Sequence, residues 1–220
     1  MKKLILSVLS MVLISGASYA ATLSMGLSGS MINYDASGTE TVKSSGTKNK
    51  KSESGNAGAA SLFLEADTGM VTIGLDVIPY AATIGDYNNA RTDTDTDDSA
   101  DSAGKNKGDI NFSNHVTLYV EKPINDLLFV KVGLSRMTIE TSDDNATGSQ
   151  YGDEDSSGYM FGLGTKRDLA NGSFMKMEAQ YAKYEGATFN GSADGDSVKN
   201  KIELDDFDTI TLKVSIGKSF

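Results

Sequence analysis

The 220-residue sequence contains no cysteine, no tryptophan, two prolines and a single histidine. Without cysteine there is no disulfide framework, no thiolate zinc site and no cysteine nucleophile, and one histidine leaves little for a histidine-based metal centre. Long apolar runs are also lacking, apart from one at the extreme N-terminus, which excludes a bundle of membrane-spanning helices but not a membrane barrel. Positive charge is scarce: 20 Lys and Arg stand against 30 Asp and Glu, for a formal charge of −10. That balance speaks against nucleic acid as a partner, because phosphate binding needs clustered Lys and Arg. The length supplies one domain or two small ones.

The apolar run has the form of an address. Met1-Lys2-Lys3 is a positive n-region, Leu4 to Ile14 an apolar stretch, and Ser15 to Ala20 a run of small residues ending at a cleavage site before Ala21. Residues 1–20 therefore read as a secretory signal peptide and 21–220 as the mature domain. An uncleaved anchor is the alternative, although the stretch falls short of the roughly 20 residues that cross a bilayer. Loss of Lys2 and Lys3 takes the formal charge from −10 to −12.

Beyond Ala21 the chain is patterned with period 2, carries most of the 23 Gly and shows no amphipathic helix. Eight strands are predicted, beginning with Thr22 to Tyr34, where Leu23, Met25, Leu27 and Met31 oppose Ser24, Gly26, Ser28 and Ser30. The others lie at about 59–66, 71–80, 112–122, 128–135, 159–166, 175–182 and 209–217. Phe112, Val116, Leu118 and Val120 are placed on one face of the fourth, opposite Ser113, His115, Thr117 and Glu121. The connections, 35–58, 67–69, 83–109, 123–126, 141–157, 168–172 and 185–207, alternate long and short. Alternation puts every long connection at one end and every tight turn at the other, the arrangement of an up-and-down transmembrane barrel with long extracellular loops and short periplasmic turns. Strands of about 9 to 11 tilted residues cross the hydrocarbon layer, and closure satisfies every backbone group there.

The chain resembles the small eight-stranded outer-membrane β-barrels, such as the OmpA transmembrane domain and OmpX, within the porin-like superfamily. The telling match is the end, Ile210-x-Leu212-x-Val214-x-Ile216-Gly217-Lys218-Ser219-Phe220, which is similar to the C-terminal strand read by the outer-membrane barrel insertion machinery. The resemblance implies an all-β fold, a single eight-stranded antiparallel barrel in a Gram-negative-type outer membrane, with that machinery as a biogenesis partner and Phe220 as its signal.

With the apolar parity facing lipid, the lumen receives Glu65, Asp76, Glu121 and Glu178 with Lys131, Lys166, Lys176 and Lys213. Asp76, Lys131, Glu178 and Lys213 are expected near mid-depth as a charge network plugging the tube, since paired charges are tolerable where single ones are costly. An eight-stranded interior is just wide enough for side chains to fill. The opposing sign is the run of small lumen residues, Gly26, Gly74, Gly133, Gly162, Gly164 and Gly217 among them, which would leave a water path. A structural or surface-interaction barrel with acidic loops is therefore weighed against a narrow porin for small hydrophilic solutes or ions. A soluble lipocalin-like barrel would want an apolar interior, contrary to the charged mid-strand positions.

Arg136 and Lys183, at the loop ends of outward faces, are candidates for lipopolysaccharide phosphates, against ordinary interfacial snorkelling. Asp93, Asp95 and Asp97 alternate with Thr in a pattern that suggests a divalent cation, but Asp98 and Gly104 occupy the places where a calcium loop wants Gly and Glu, so a solvated acidic loop with loosely held cations is the plainer alternative. His115 is the one candidate imidazole base, beside Ser113 and Thr117, yet on the lumen face; no enzymatic activity and no cofactor is expected, and outer-membrane lipid is the general partner.

Overall fold

The computed structural model describes residues 21–42, 46–91, 104–144, 150–191 and 201–220. The expected signal peptide, residues 1–20, and Asp93, Asp95 and Asp97 lie outside the described residues. Alternation of apolar and polar residues produces strands throughout: β1 (Thr22–Val42), β2 (Thr47–Asp67), β3 (Thr72–Ile78), β4 (Ala82–Arg91), β5 (Gly104–Pro123) and β6 (Leu128–Asp144). They continue as β7 (Glu154–Asp168), β8 (Ser173–Tyr184), β9 (Ala187–Asn190), β10 (Lys201–Leu204) and β11 (Phe207–Ser219), with one 3₁₀ turn at Ala170–Gly172.

These eleven segments make eight staves, because β3 and β4 both pair with β5, and β9 and β10 prolong β8 and β11. Neighbouring staves are antiparallel, and β11 returns to β1 from Ser24↔Ser219 to Asp35↔Asp208, which closes the barrel. Closure removes the sheet edges that a membrane could not satisfy. The tight turns carry the expected chemistry. Asn171 and Gly172 adopt left-handed backbone, φ 60° and 73°, as a two-residue hairpin turn requires. Gly69, φ 83°, closes the 67–69 turn, its N–H donating to the Asp67 carboxylate at 2.8 Å.

The strands overrun the sequence-based limits at the loop end. β1 and β2 each have 21 residues and stay paired up to Val42↔Thr47, so most of the 35–58 connection is a β-hairpin. In the same way β4 and the start of β5 occupy much of 83–109. Outside a bilayer neither face of a strand needs apolar residues, so pairing persists where the period-2 signal has gone.

The third stave is interrupted between Ile78 and Ala82, where Pro79 cannot donate to a ladder. A bulge on β5, with Asn114 at φ 51° and a register shift between Ser113 and Val116, reverses the strand's parity above it. Phe112, expected on the lipid face, therefore points inward and stacks on Phe207, ring centroids 5.5 Å apart.

Outside, Leu27, Met31, Leu134, Phe161, Leu212 and Ile216 are more than half exposed and form an apolar belt. Inside, the turn-end half holds the buried charged side chains among aromatic rings, and the loop-end half is mainly apolar. There Tyr184 stacks on Phe207 at 5.1 Å, and Ile139, Tyr151, Phe189 and Met137 are buried with them. Tyr151, Phe189 and Phe207 of that second, apolar core lie within stretches that read as polar connections, so the alternation did not reveal them.

Candidate functional site

The site is the interior of the turn-end half. Strand alternation aims Glu65 of β2, Asp76 of β3, Glu121 of β5, Lys131 of β6, Lys176 and Glu178 of β8 and Lys213 of β11 into the lumen, all buried except Lys213. Lys176 Nζ lies 2.6 Å from Glu65 and 2.8 Å from Glu121, and Lys131 Nζ lies 2.6 Å from Glu178 and 3.5 Å from Glu121. The result is one chain, Glu65–Lys176–Glu121–Lys131–Glu178, that crosses the tube. Tyr119 donates its hydroxyl to Glu65 at 2.7 Å, and the Gln180 amide donates to Glu178 at 2.8 Å. The Phe129 ring adds a face to the Lys176 ammonium, 5.2 Å from its centroid.

Asp76 and Lys213 form a pair of their own, 2.5 Å apart, with the Ser61 hydroxyl donating to the same carboxylate at 3.0 Å. The four mid-depth residues grouped from the sequence thus divide: Lys131 and Glu178 belong to the chain of five, Asp76 and Lys213 to the separate pair. Lys213 faces Glu178 in strand register but reaches across to Asp76, while Glu178 takes Lys131. Lys166 joins neither group. It sits half-buried over the Phe174 ring, 4.7 Å from the centroid, with no ion pair among the described residues.

At four of the lumen glycines an inward aromatic ring occupies the space: Phe63 lies against Gly26, Tyr119 against Gly74, Phe129 against Gly164 and Phe174 against Gly217, each so close that an added Cβ would overlap the ring. A glycine opposite an aromatic ring is therefore a packing pair, legible only once strand register is known.

Arg136 is exposed and bonded to Asp155, which also accepts from Thr138 at 3.0 Å. This hydrogen bond from Arg136 holds the Asp155 carboxyl below its ordinary pKa. Lys183 lies 3.6 Å from Asp206, so both basic residues already meet acids. His115 Nε2 is 2.9 Å from the Tyr184 hydroxyl, whereas Ser113 donates to Glu140 and Thr117 is paired with Ser135, so the three form no proton relay. Among the described residues no cluster of three His, Asp or Glu side chains is arranged to hold a metal ion. Phe220 is exposed, and its N–H donates to Leu23 O at 2.8 Å, tying the last residue to the first strand.

A closed antiparallel barrel with an apolar belt outside and paired charges inside is a transmembrane β-barrel. The family model of the outer membrane protein beta-barrel domain matches residues 5–217, and the chain belongs to that family. Among solved structures, OprG from Pseudomonas aeruginosa is similar over 91% of this chain and 96% of its own, with 13% identity and a TM-score of 0.59. The outer membrane protease OmpT from Escherichia coli covers 90% of this chain and 97% of its own, at 8% identity and a TM-score of 0.49. Ail, the attachment invasion locus protein of Yersinia pestis, gives 14% identity over 89% and 99%, with a TM-score of 0.43. No match is found among curated proteins. The family match establishes the outer-membrane class, and the likeness to OprG agrees with the barrel fold.

Proposed function

We propose that this chain is a non-conducting outer-membrane barrel whose role is carried by its loop end, in contact with surface molecules. The observation that supports this reading is the buried ion-pair chain across the turn-end lumen, in which Lys176 keeps 1% side-chain exposure and Lys131 4%. Breaking such a chain to admit a solute would strand buried charges, which is strongly unfavourable. The apolar core around Ile139 and Phe207 narrows the other half and offers water few partners there.

In this reading the charge network is a plug, the acidic connections repel anions and hold divalent cations loosely, and Arg136 and Lys183 face lipopolysaccharide, with their acid partners as competitors for its phosphates. Phe220 serves insertion by the barrel assembly machinery, and the leader directs export to a Gram-negative-type envelope. No catalytic role is assigned, because His115 is held by Tyr184 away from Ser113 and Thr117.

The test is single-channel recording in a planar bilayer, with insertion verified by heat-modifiable gel mobility. Inserted protein without discrete steps is the expected result. Reproducible steps would overturn the plug and favour a small passive channel lined by Glu65, Glu121, Lys131, Lys176 and Glu178.

A further inference from the structure

The outer face differs in charge between the two ends of the barrel. At the loop end Arg136 meets Asp155 and Lys183 meets Asp206. At the turn end Arg167 of β7 and Lys218 of β11 are exposed, point outward by strand parity, and form no ion pair among the described residues. Lys218 stands at the border of the apolar belt. Between Asp208 and Lys218 the outward positions of β11 are Ile210, Leu212, Val214 and Ile216, and about ten residues of tilted strand rise about 25 Å, the height of a barrel's lipid-facing band. Strand β8 runs between the two cations. Met175 pairs with Arg167 on one side and Ile216 on the other, while Ser173 pairs with Lys218. Arg167 and Lys218 are therefore two strand spacings apart and two residues out of step, about 12 Å between Cα atoms, and the tilt of the strands brings them to nearly one depth.

We infer that Arg167, Ser173 and Lys218 bind the phosphate of one anionic phospholipid drawn from the leaflet at the turn end. The guanidinium offers a bidentate fork to phosphate oxygens, the ammonium a point charge from the other side, and both side chains are long enough to close the gap between them. Ser173, half-buried on the outward face of β8, holds a hydroxyl in that gap. The lipid body is matched by apolar surface: Ile216 is 58% exposed and Met175 38%, directly on the membrane side of the cations. Phe220 borders the site below, its ring centroid 6.0 Å from Lys218 Nζ. Two unpaired cations beside exposed apolar side chains fit an anionic headgroup with its acyl chain attached, which a free anion would use only in part. This binding goes beyond the surface role, lies at the opposite rim and does not depend on whether the lumen conducts.

The test uses the folded barrel in dodecyl maltoside, a detergent without phosphate, followed by amide NMR. Dihexanoyl phosphatidylglycerol is expected to give saturable shifts centred on residues 167–175 and 216–220. Dihexanoyl phosphatidylcholine, its zwitterionic counterpart, should bind about fivefold more weakly, and inorganic phosphate should not saturate over the same range. Arg167→Gln combined with Lys218→Gln should remove the phosphatidylglycerol response while retaining heat-modifiable mobility. Lys122→Gln, which removes another exposed turn-end lysine two staves from β7, should keep it. Equal affinity for phosphatidylcholine, equally tight binding of inorganic phosphate, a folded R167Q/K218Q protein that responds like the parent, or a K122Q protein that loses the response would each overturn the assignment. Should the double variant fail to fold, the comparison of the three ligands on the unaltered chain decides alone.

Discussion

Lys176 and Glu65, 111 residues apart in the chain, meet at 2.6 Å across the lumen from staves that are not neighbours. Glu121 shares the same ammonium, and all three side chains are buried. The contact ties opposite walls of the barrel together, so its loss is felt by the whole cylinder and not by one hairpin.

Replacing Lys176 by Met would leave Glu65 and Glu121 buried without their shared cation. The expected cost is about 3–5 kcal/mol, the penalty for breaking a buried pair from one side. Urea unfolding followed by gel mobility would read it. Adding Glu65→Gln and Glu121→Gln to K176M should restore most of the loss, because no unpaired charge then remains.

Truncating Lys131 and Lys176 together to Ala removes both cations from the chain of five and leaves Glu65, Glu121 and Glu178 in the tube. Water is then drawn in to solvate them. Bilayer recording of this double variant should show steps absent from the parent, with cations favoured over anions as expected of a carboxylate-lined passage. A silent double variant that inserts normally would mean that the apolar loop-end core is by itself a sufficient seal.

Two glycines should answer oppositely to substitution. Gly217→Val would drive a side chain into the Phe174 ring, an overpacking costing about 1–3 kcal/mol. Gly58 lies on the outer face with open space around its missing Cβ and no positive φ, so Gly58→Ala should be neutral or stabilise by about 0.4–1 kcal/mol. Denaturation midpoints of the two variants provide the measurement.

Asp155 has a defined pH signature. Arg136 lowers its carboxyl pKa in the folded chain, so the stabilisation is fully present above the unfolded value of about 3.9 and is lost as pH falls through the folded value. The pair is largely exposed, which limits its worth to below about 1 kcal/mol. Asp155→Asn should therefore lower stability slightly at pH 7, with the difference shrinking as pH falls through the folded value. A difference that does not shrink in acid would assign the residue's effect to its hydrogen bond from Thr138 instead.

The sequence alone determined the parity of the strands, because a period of 2 sends Leu27, Leu134 and Leu212 to lipid and Glu65, Lys131 and Lys176 to the interior whatever the register. It also determined the alternation of long and short connections, and with it the barrel class. Tertiary structure decided the partners. Which lysine meets which carboxylate depends on distances across a closed cylinder: register places Lys213 beside Glu178, yet closure brings Asp76 within its reach and sends Lys131 to Glu178. The bulge at Asn114, invisible in the alternation, turned Phe112 inward, and the rings of Phe63, Tyr119, Phe129 and Phe174 filled what the glycines left open. Periodicity along one strand is a local property read directly from sequence, whereas filling a lumen is a many-strand packing problem whose solution exists only once the sheet has closed.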